Sequence, residues 1–214
     1  MIYEGYYMEK IIMSDNVNDY EVKLINVCKS FEGQKIFDNL NIEFMKNKIS
    51  IILGPSGCGK TTLLNIISGI EKADTGKIIF SDNNISYIFQ EDRLIPWLTA
   101  YENIAFVLKS YMEKKEMDDI INKYLVMVKL KEHKDKLPAK LSGGMKRRVA
   151  LARAFAHKNR LLLMDEPFKG LDFELKKSII EEFLQIWSED KRTVIIVTHD
   201  IEEAKLLGDK IYYL

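Results

Sequence analysis

Two cysteines in 214 residues, Cys28 and Cys58, have neither the number nor the spacing of a disulfide framework or a zinc site. That favours a reducing compartment, the cytoplasm by default. Net charge is lacking too: 32 Lys plus Arg balance 32 Asp plus Glu. No overall field draws the chain to nucleic acid or to an anionic membrane, and no nucleic-acid partner is expected. Apolar runs such as ISIIL and LLLM are strand-sized, far short of the roughly 18 residues of a membrane span. Work at a membrane would need another chain to supply the span. The first 20 residues, MIYEGYYMEKIIMSDNVNDY, carry acids and tyrosines where a signal peptide has a basic region and then a long apolar one. They read as a loose extension, with Met8 and Met13 as alternative starts to Met1. Internal repeats and low-complexity segments are absent as well, so a single unit is expected over residues 21–214.

What is there changes style along the chain. From residue 21 to 44 the pattern is short and strand-like, with Leu40, Ile42 and Phe44 alternating against polar neighbours, as in a half-exposed antiparallel sheet. ISIILG, residues 49–54, is instead a continuous apolar run leading into a Gly-rich turn and a helical stretch, TTLLNIISGI. ISYIF, LLLMD and TVIIVT repeat the buried-strand signature, and helical stretches separate them, including residues 176–187 with Ile179, Ile180, Phe183, Leu184 and Trp187 on one face. Buried strands alternating with helices define an α/β fold with a mostly parallel core sheet. Residues 91–140 hold no such strand, but Met117, Ile120, Ile121, Tyr124, Leu125 and Val128 recur at helical spacing. That block is expected to be a helical subdomain inserted between core segments 21–90 and 141–214.

Gly54, Pro55, Ser56, Gly57, Cys58, Gly59, Lys60 and Thr61, continued by Thr62, fit the phosphate-loop pattern and follow a buried strand. Glycines let backbone N–H groups wrap phosphates, Lys60 meets the β and γ oxygens, and the Thr61 hydroxyl serves Mg²⁺. Cys58 reads as a small spacer. LLLMDEP ends a second buried strand in two carboxylates. Asp165 is placed to hold Mg²⁺, and Glu166 to face a water in line with the γ phosphate. His199 and Gln90 each close an apolar strand at the edge of a parallel sheet where ligands bind. Gln90 can serve Mg²⁺ or orient the attacking water, whereas a lone His is often a surface residue. LSGGMKRR, residues 141–148, opens a helix with Ser142, Gly143 and Gly144. Its free N–H groups and positive dipole end suit an anion, and Ser142 also suits the role of N-cap.

In this order the motifs resemble those of the ATP-binding cassette (ABC) family: phosphate loop, Gln90, LSGGM, LLLMDEP, then Gly170-Leu171-Asp172 and His199. The resemblance spans nearly the whole chain and implies a P-loop ATPase that binds ATP and Mg²⁺ and works as a dimer, with itself or with a second ABC ATPase. In that family each LSGG loop caps the γ phosphate bound by the partner, so Ser142, Gly143 and Gly144 would act across the dimer. Phe31 matches the family's adenine-stacking position, usually tyrosine, with core packing as the alternative; stacking tolerates any base, which leaves ATP against GTP open.

Departures are Met145 for the commoner Gln, Lys169-Gly170 where Gly-Ala is usual, and an end at Leu214 that leaves no room for an appended regulatory domain. The segment QEDRLIPWLTAYENI is similar to the importer ATPases serving nitrate, sulfonate and taurine permeases. Leu94, Ile95 and Trp97 there are expected either to pack the helical subdomain or to meet a permease. The resemblance thus implies a subunit held at the inner face of the membrane by transmembrane permease subunits, with a solute-binding protein in the complete system. A soluble, non-transport ABC ATPase is the alternative, although tandem cassettes and long coiled-coil insertions are lacking. A different P-loop NTPase leaves LSGG unexplained and lacks the Asn-Lys-x-Asp guanine motif, while a cassette that binds without turnover is at odds with Glu166 and His199.

Overall fold

The computed structural model of the chain describes residues 19–82, 84–110 and 112–214. The expected N-terminal extension, with its alternative start methionines, lies up to residue 18 outside the described residues.

Two sheets of opposite character carry the fold. β1 (Tyr20–Phe31), β2 (Gln34–Met45) and β4 (Thr75–Phe80) pair antiparallel in the order β2, β1, β4. Register shifts interrupt both pairings, and one face stays wet, as the alternation of residues 40–44 requires. The other sheet is wholly parallel, with β3 (Ile49–Leu53), β5 (Ile85–Ile88), β6 (Leu161–Asp165), β7 (Thr193–Thr198) and β8 (Lys210–Tyr213) in the spatial order β5, β6, β7, β3, β8.

Every residue of β3, β6 and β7 is buried, because both faces of this sheet are covered. Alternate side chains enter different cores, as a strand period of two demands. Leu161 and Leu163 join Ile195 and Val197 against α1 (Lys60–Ser68) and the antiparallel sheet, whose Phe44 is fully buried. Leu162 and Met164 join Val194 and Ile196 on the opposite face. There the cover comes from α5 (Phe173–Asp190), α6 (Ile201–Leu207) and the helical subdomain.

That subdomain is built from α2 (Ala100–Leu108) and α3 (Lys114–Met127) packed on α4 (Gly143–Ala156). A capping box starts α2: the Thr99 hydroxyl accepts from the Glu102 N–H, and the Glu102 carboxylate accepts from the Thr99 N–H. Asn103, fully buried, ties the preceding loop to this first turn. Its amide donates to the Ile95, Leu98 and Thr99 carbonyls, and its oxygen accepts from the Ile95 N–H. The clamp turns Leu94 onto the core and leaves Trp97 75% exposed, so that segment divides between packing and presentation. No helix among the described residues is long and apolar enough to cross a membrane.

Candidate active site

Parallel register aligns the strand ends. Leu53 lies opposite Thr198, Asp165 opposite Val197, and Ile88 opposite Met164. The residues that follow, Gly54, His199, Glu166 and Phe89-Gln90, therefore leave the sheet at one edge, where a doubly covered parallel sheet binds its ligands.

The turn into α1 has Gly57 at φ +84° and Gly59 at φ +101°, in the left-handed region that L side chains avoid. A Cβ at Gly59 would also lie 2.6 Å from Ile36 Cγ2, so the loop is pressed against β2. Gly59 is the N-cap and offers no side-chain acceptor, which leaves the first N–H groups of α1, on Lys60, Thr61 and Thr62, to an incoming anion. The Lys60 ammonium is buried and donates to the Gly54 and Pro55 carbonyls at 2.8 and 2.7 Å, with Cys58 Sγ at 3.8 Å. Cys58 is thus a loop spacer packed beside the lysine, and Ser56 sits exposed on the turn.

The Thr61 hydroxyl donates to Asp165 Oδ2 at 2.8 Å. Burial pushes the Asp165 carboxyl up, and the Thr61 hydrogen bond opposes that rise. Thr61 and Asp165 form an oxygen donor set of the hard kind Mg²⁺ prefers, while the Gln90 amide faces the adjoining Glu166 carboxylate. A single carboxylate is typical where phosphates complete the shell. No group of three or more His, Cys, Asp or Glu among the described residues forms a rival metal site.

Glu166 is the most constrained residue of the edge. Its φ is +45°, a conformation that is strained for a residue with a side chain. His199 Nδ1 lies 2.8 Å from Oε1, Lys169 Nζ 2.5 Å from Oε2, and Gln90 Nε2 3.4 Å from Oε2. A carboxylate only accepts, so its contact with His199 places the ring proton on Nδ1. Burial pushes the Glu166 carboxyl up, but Lys169 and His199 outweigh it and hold the group below its ordinary range.

The backbone of the same turn hangs on Arg147 of α4. Its guanidinium donates to the carbonyls of Pro167 (2.8 Å), Asp165 (2.9 Å), Glu166 (2.6 Å), Phe89 (2.6 Å) and Gln90 (3.3 Å), with the Asp92 carboxylate at 3.5 Å. A planar five-donor fork suits this task, and an ammonium does not. Sequence reasoning missed Arg147, since KRR on a helix resembles a solvated face. The available signal was its place one turn before Leu151 in an apolar stripe. Sequence reasoning noticed Lys169 as a departure but not as a partner of Glu166.

Phe31 is 42% exposed and is not a core residue. It pairs with Gln34 at the tip of the β1–β2 hairpin, two residues before Ile36, which abuts Gly59, and the Lys29 ammonium lies 4.6 Å from its ring centre. The structure thus gathers the phosphate loop, Gln90, Asp165, Glu166 and His199, with the hairpin that carries Phe31 pressed on the phosphate loop through Ile36. It does not bring Ser142, Gly143 and Gly144 to them. The Ser142 hydroxyl accepts from the Met145 N–H as N-cap of α4, and Ser142 and Gly143 are exposed.

Fold and edge together define a P-loop nucleoside triphosphatase, with a mostly parallel core sheet and an antiparallel β subdomain. Comparison with known proteins narrows the class. The family model described as ABC transporter matches residues 37–169. The aliphatic sulfonates import ATP-binding protein SsuB of Bacillus cereus is 39% identical over 201 residues, covering 89% of this chain and 79% of that protein. The spermidine/putrescine import ATP-binding protein PotA of Thermotoga maritima is 39% identical over 202 residues, covering 89% of this chain; the chain spans 55% of its length. The dimeric structure of the ATP-binding cassette MJ0796 in a post-hydrolysis state with ADP and Pi superposes with a TM-score of 0.81 at 34% identity, covering 90% of this chain and 94% of that one. The chain belongs to the ABC transporter family, as its ATP-binding, ATP-hydrolysing domain.

Proposed function

We propose that this ATPase powers import of a small solute through a separate membrane permease. In this reading two cassettes, identical or paired with a second ABC ATPase, close over two ATP molecules at the cytoplasmic face of the membrane. The observation that carries the reading is the meeting of Lys60, Thr61, Asp165, Glu166, Gln90 and His199 at one sheet edge, while Ser142 and Gly143 stand exposed on the same chain.

The roles follow from chemistry. Lys60 exchanges the Gly54 and Pro55 carbonyls for phosphate oxygens, and the α1 N–H groups hold the same phosphates. Thr61 and Asp165, with Gln90, would hold Mg²⁺, which offsets the negative charge of the β and γ phosphates. Glu166 accepts a hydrogen bond from the attacking water and orients it, and His199 holds the carboxylate and faces the developing charge. Phe31 offers its ring to the base. Ser142, Gly143 and Gly144 of one chain close the site of the other. The boundaries of a core at 21–90 and 141–214 and a helical lobe at 91–140 belong to the same proposal, with α4 bridging the two.

Beside Gln90 a groove with a cavity of about 270 Å³ is lined by Ile85, Phe89, Asp92, Val107, Ala150 and Arg153. A short permease helix would dock there, and a solute-binding protein completes an importer. Relatives of similar identity carry sulfonate, bicarbonate and polyamine names. We favour a small solute of the nitrate, sulfonate or taurine kind, on the resemblance of residues 90–104 to that group.

Glu166→Gln tests the assignment. It should keep nucleotide binding, slow turnover by about 10²–10³-fold and accumulate an ATP-bound dimer measurable by light scattering. Unaltered turnover removes Glu166 from this role.

A further inference from the structure

Lys169 stands where the family resemblance leads one to expect glycine, and it makes the shortest contact of the site, 2.5 Å from Glu166 Oε2. It lies on a tight turn: its N–H donates to the Glu166 carbonyl at 3.2 Å, and the next residue, Gly170, has φ +78°. That turn abuts the start of α4. A Cβ added at Gly144 would lie 3.7 Å from Leu171 Cδ2 and 3.9 Å from the Gly170 carbonyl oxygen.

We propose that Lys169 is a positioning residue that restrains Glu166 until the Ser142–Gly144 loop is engaged, so that hydrolysis waits for the second cassette. The proposal rests on the role given above to Glu166. A carboxylate orients a water through its negative charge, and an ammonium in direct contact neutralises that charge. His199 and Gln90 also touch the carboxylate, yet only Lys169 is a permanent cation. Its side chain is 54% exposed on a flexible stem, so release costs little. Engagement of Ser142, Gly143 and Gly144 moves the surface on which Gly170 and Leu171 rest. The adjoining glycine lets the turn swing, and the ammonium is drawn off the carboxylate towards water. Without the lysine, Glu166 would be competent in either state.

Lys169→Met keeps the length of the stem and removes the charge. The purified chain carrying it should turn over ATP about three- to fivefold faster, the scale of one exposed ion pair, with the ATP concentration for half-maximal rate unchanged. Lys169→Arg keeps the cation and should stay at the parent rate. Contact is read directly by carbodiimide coupling, which joins Lys169 Nζ to the Glu166 carboxyl as an amide with loss of water. The coupled peptide should form in the nucleotide-free chain and fall in yield when a non-hydrolysable ATP analogue closes the dimer. An unchanged or lower rate in Lys169→Met, or a coupling yield indifferent to the analogue, overturns the proposal. Failure of the underlying role is separable, because Glu166→Gln would then keep full turnover while the coupling experiment on the parent chain still reports the ion pair.

Discussion

Glu166 is held in two ways, and the two holds differ in kind. Its main chain is gripped by Arg147, a side chain 5% exposed whose donors reach five carbonyls. Its carboxylate is met by Lys169 and His199, each 54% exposed. The backbone hold fixes where the carboxylate starts and maintains a strained φ. The side-chain hold is made of partners that can leave. A site that waits for a second cassette, as proposed, would need both: a fixed origin and replaceable company.

Removing the backbone hold is expected to have the largest effect. Arg147→Met fits the space but leaves the five carbonyls without their donor and should cost about 3–5 kcal/mol of stability, the scale of breaking a buried polar set. Denaturant unfolding reads this loss, and an unchanged midpoint would erase the contrast. His199→Ala sharpens the other side. Stability should move by less than about 0.5 kcal/mol, as at an exposed position. The turnover number should fall about 10²-fold through loss of one electrostatic contact, so equal losses of stability and rate would merge the two holds into one.

Glu166→Gly separates strain from function. Glycine adopts positive φ freely, so thermal unfolding should show a gain of up to about 1 kcal/mol while hydrolysis disappears. A loss of stability would mean that the turn carries no strain.

The smallest effect is electrostatic and lies beside the site. The Asp200 carboxyl is held below its ordinary 3.8, chiefly by the Lys176 ammonium at 2.6 Å and against the opposing pull of burial. A carboxyl depressed in the folded state contributes stability above its unfolded value and loses it as pH falls through the folded one. Lys176→Met should therefore flatten the acid limb of stability below about pH 4, by less than about 1 kcal/mol because the pair is partly exposed. A limb of the same steepness would locate the acid sensitivity elsewhere.

Legibility from sequence followed locality. The parallel strands were readable because burial on both faces writes itself as unbroken apolar runs, and the chemical edge because each motif adjoins such a run. β4 was not readable: TGKIIF is brief, and it pairs with β1 some fifty residues earlier along the chain. Arg147 hid in a basic run whose burial depends on carbonyls from two distant loops. Asn103 hid because a polar residue in an apolar helix has meaning only once the loop at 95–99 folds over it. Phe31 divided evenly between adenine stacking and core packing until the hairpin placed it, exposed, at the tip. For β4 and Arg147 the missing information was a contact between segments far apart in sequence; for Asn103 and Phe31 it was the course of a neighbouring loop or hairpin.

The Asn103 clamp has a mechanical corollary. Four hydrogen bonds weld the Trp97 loop to the first turn of α2, and α2 lies directly on α4. A tug on the indole has no slack loop to take up. It would pass into α2 and from there to the α4 on which α2 packs, like a handle bolted to the bar it turns.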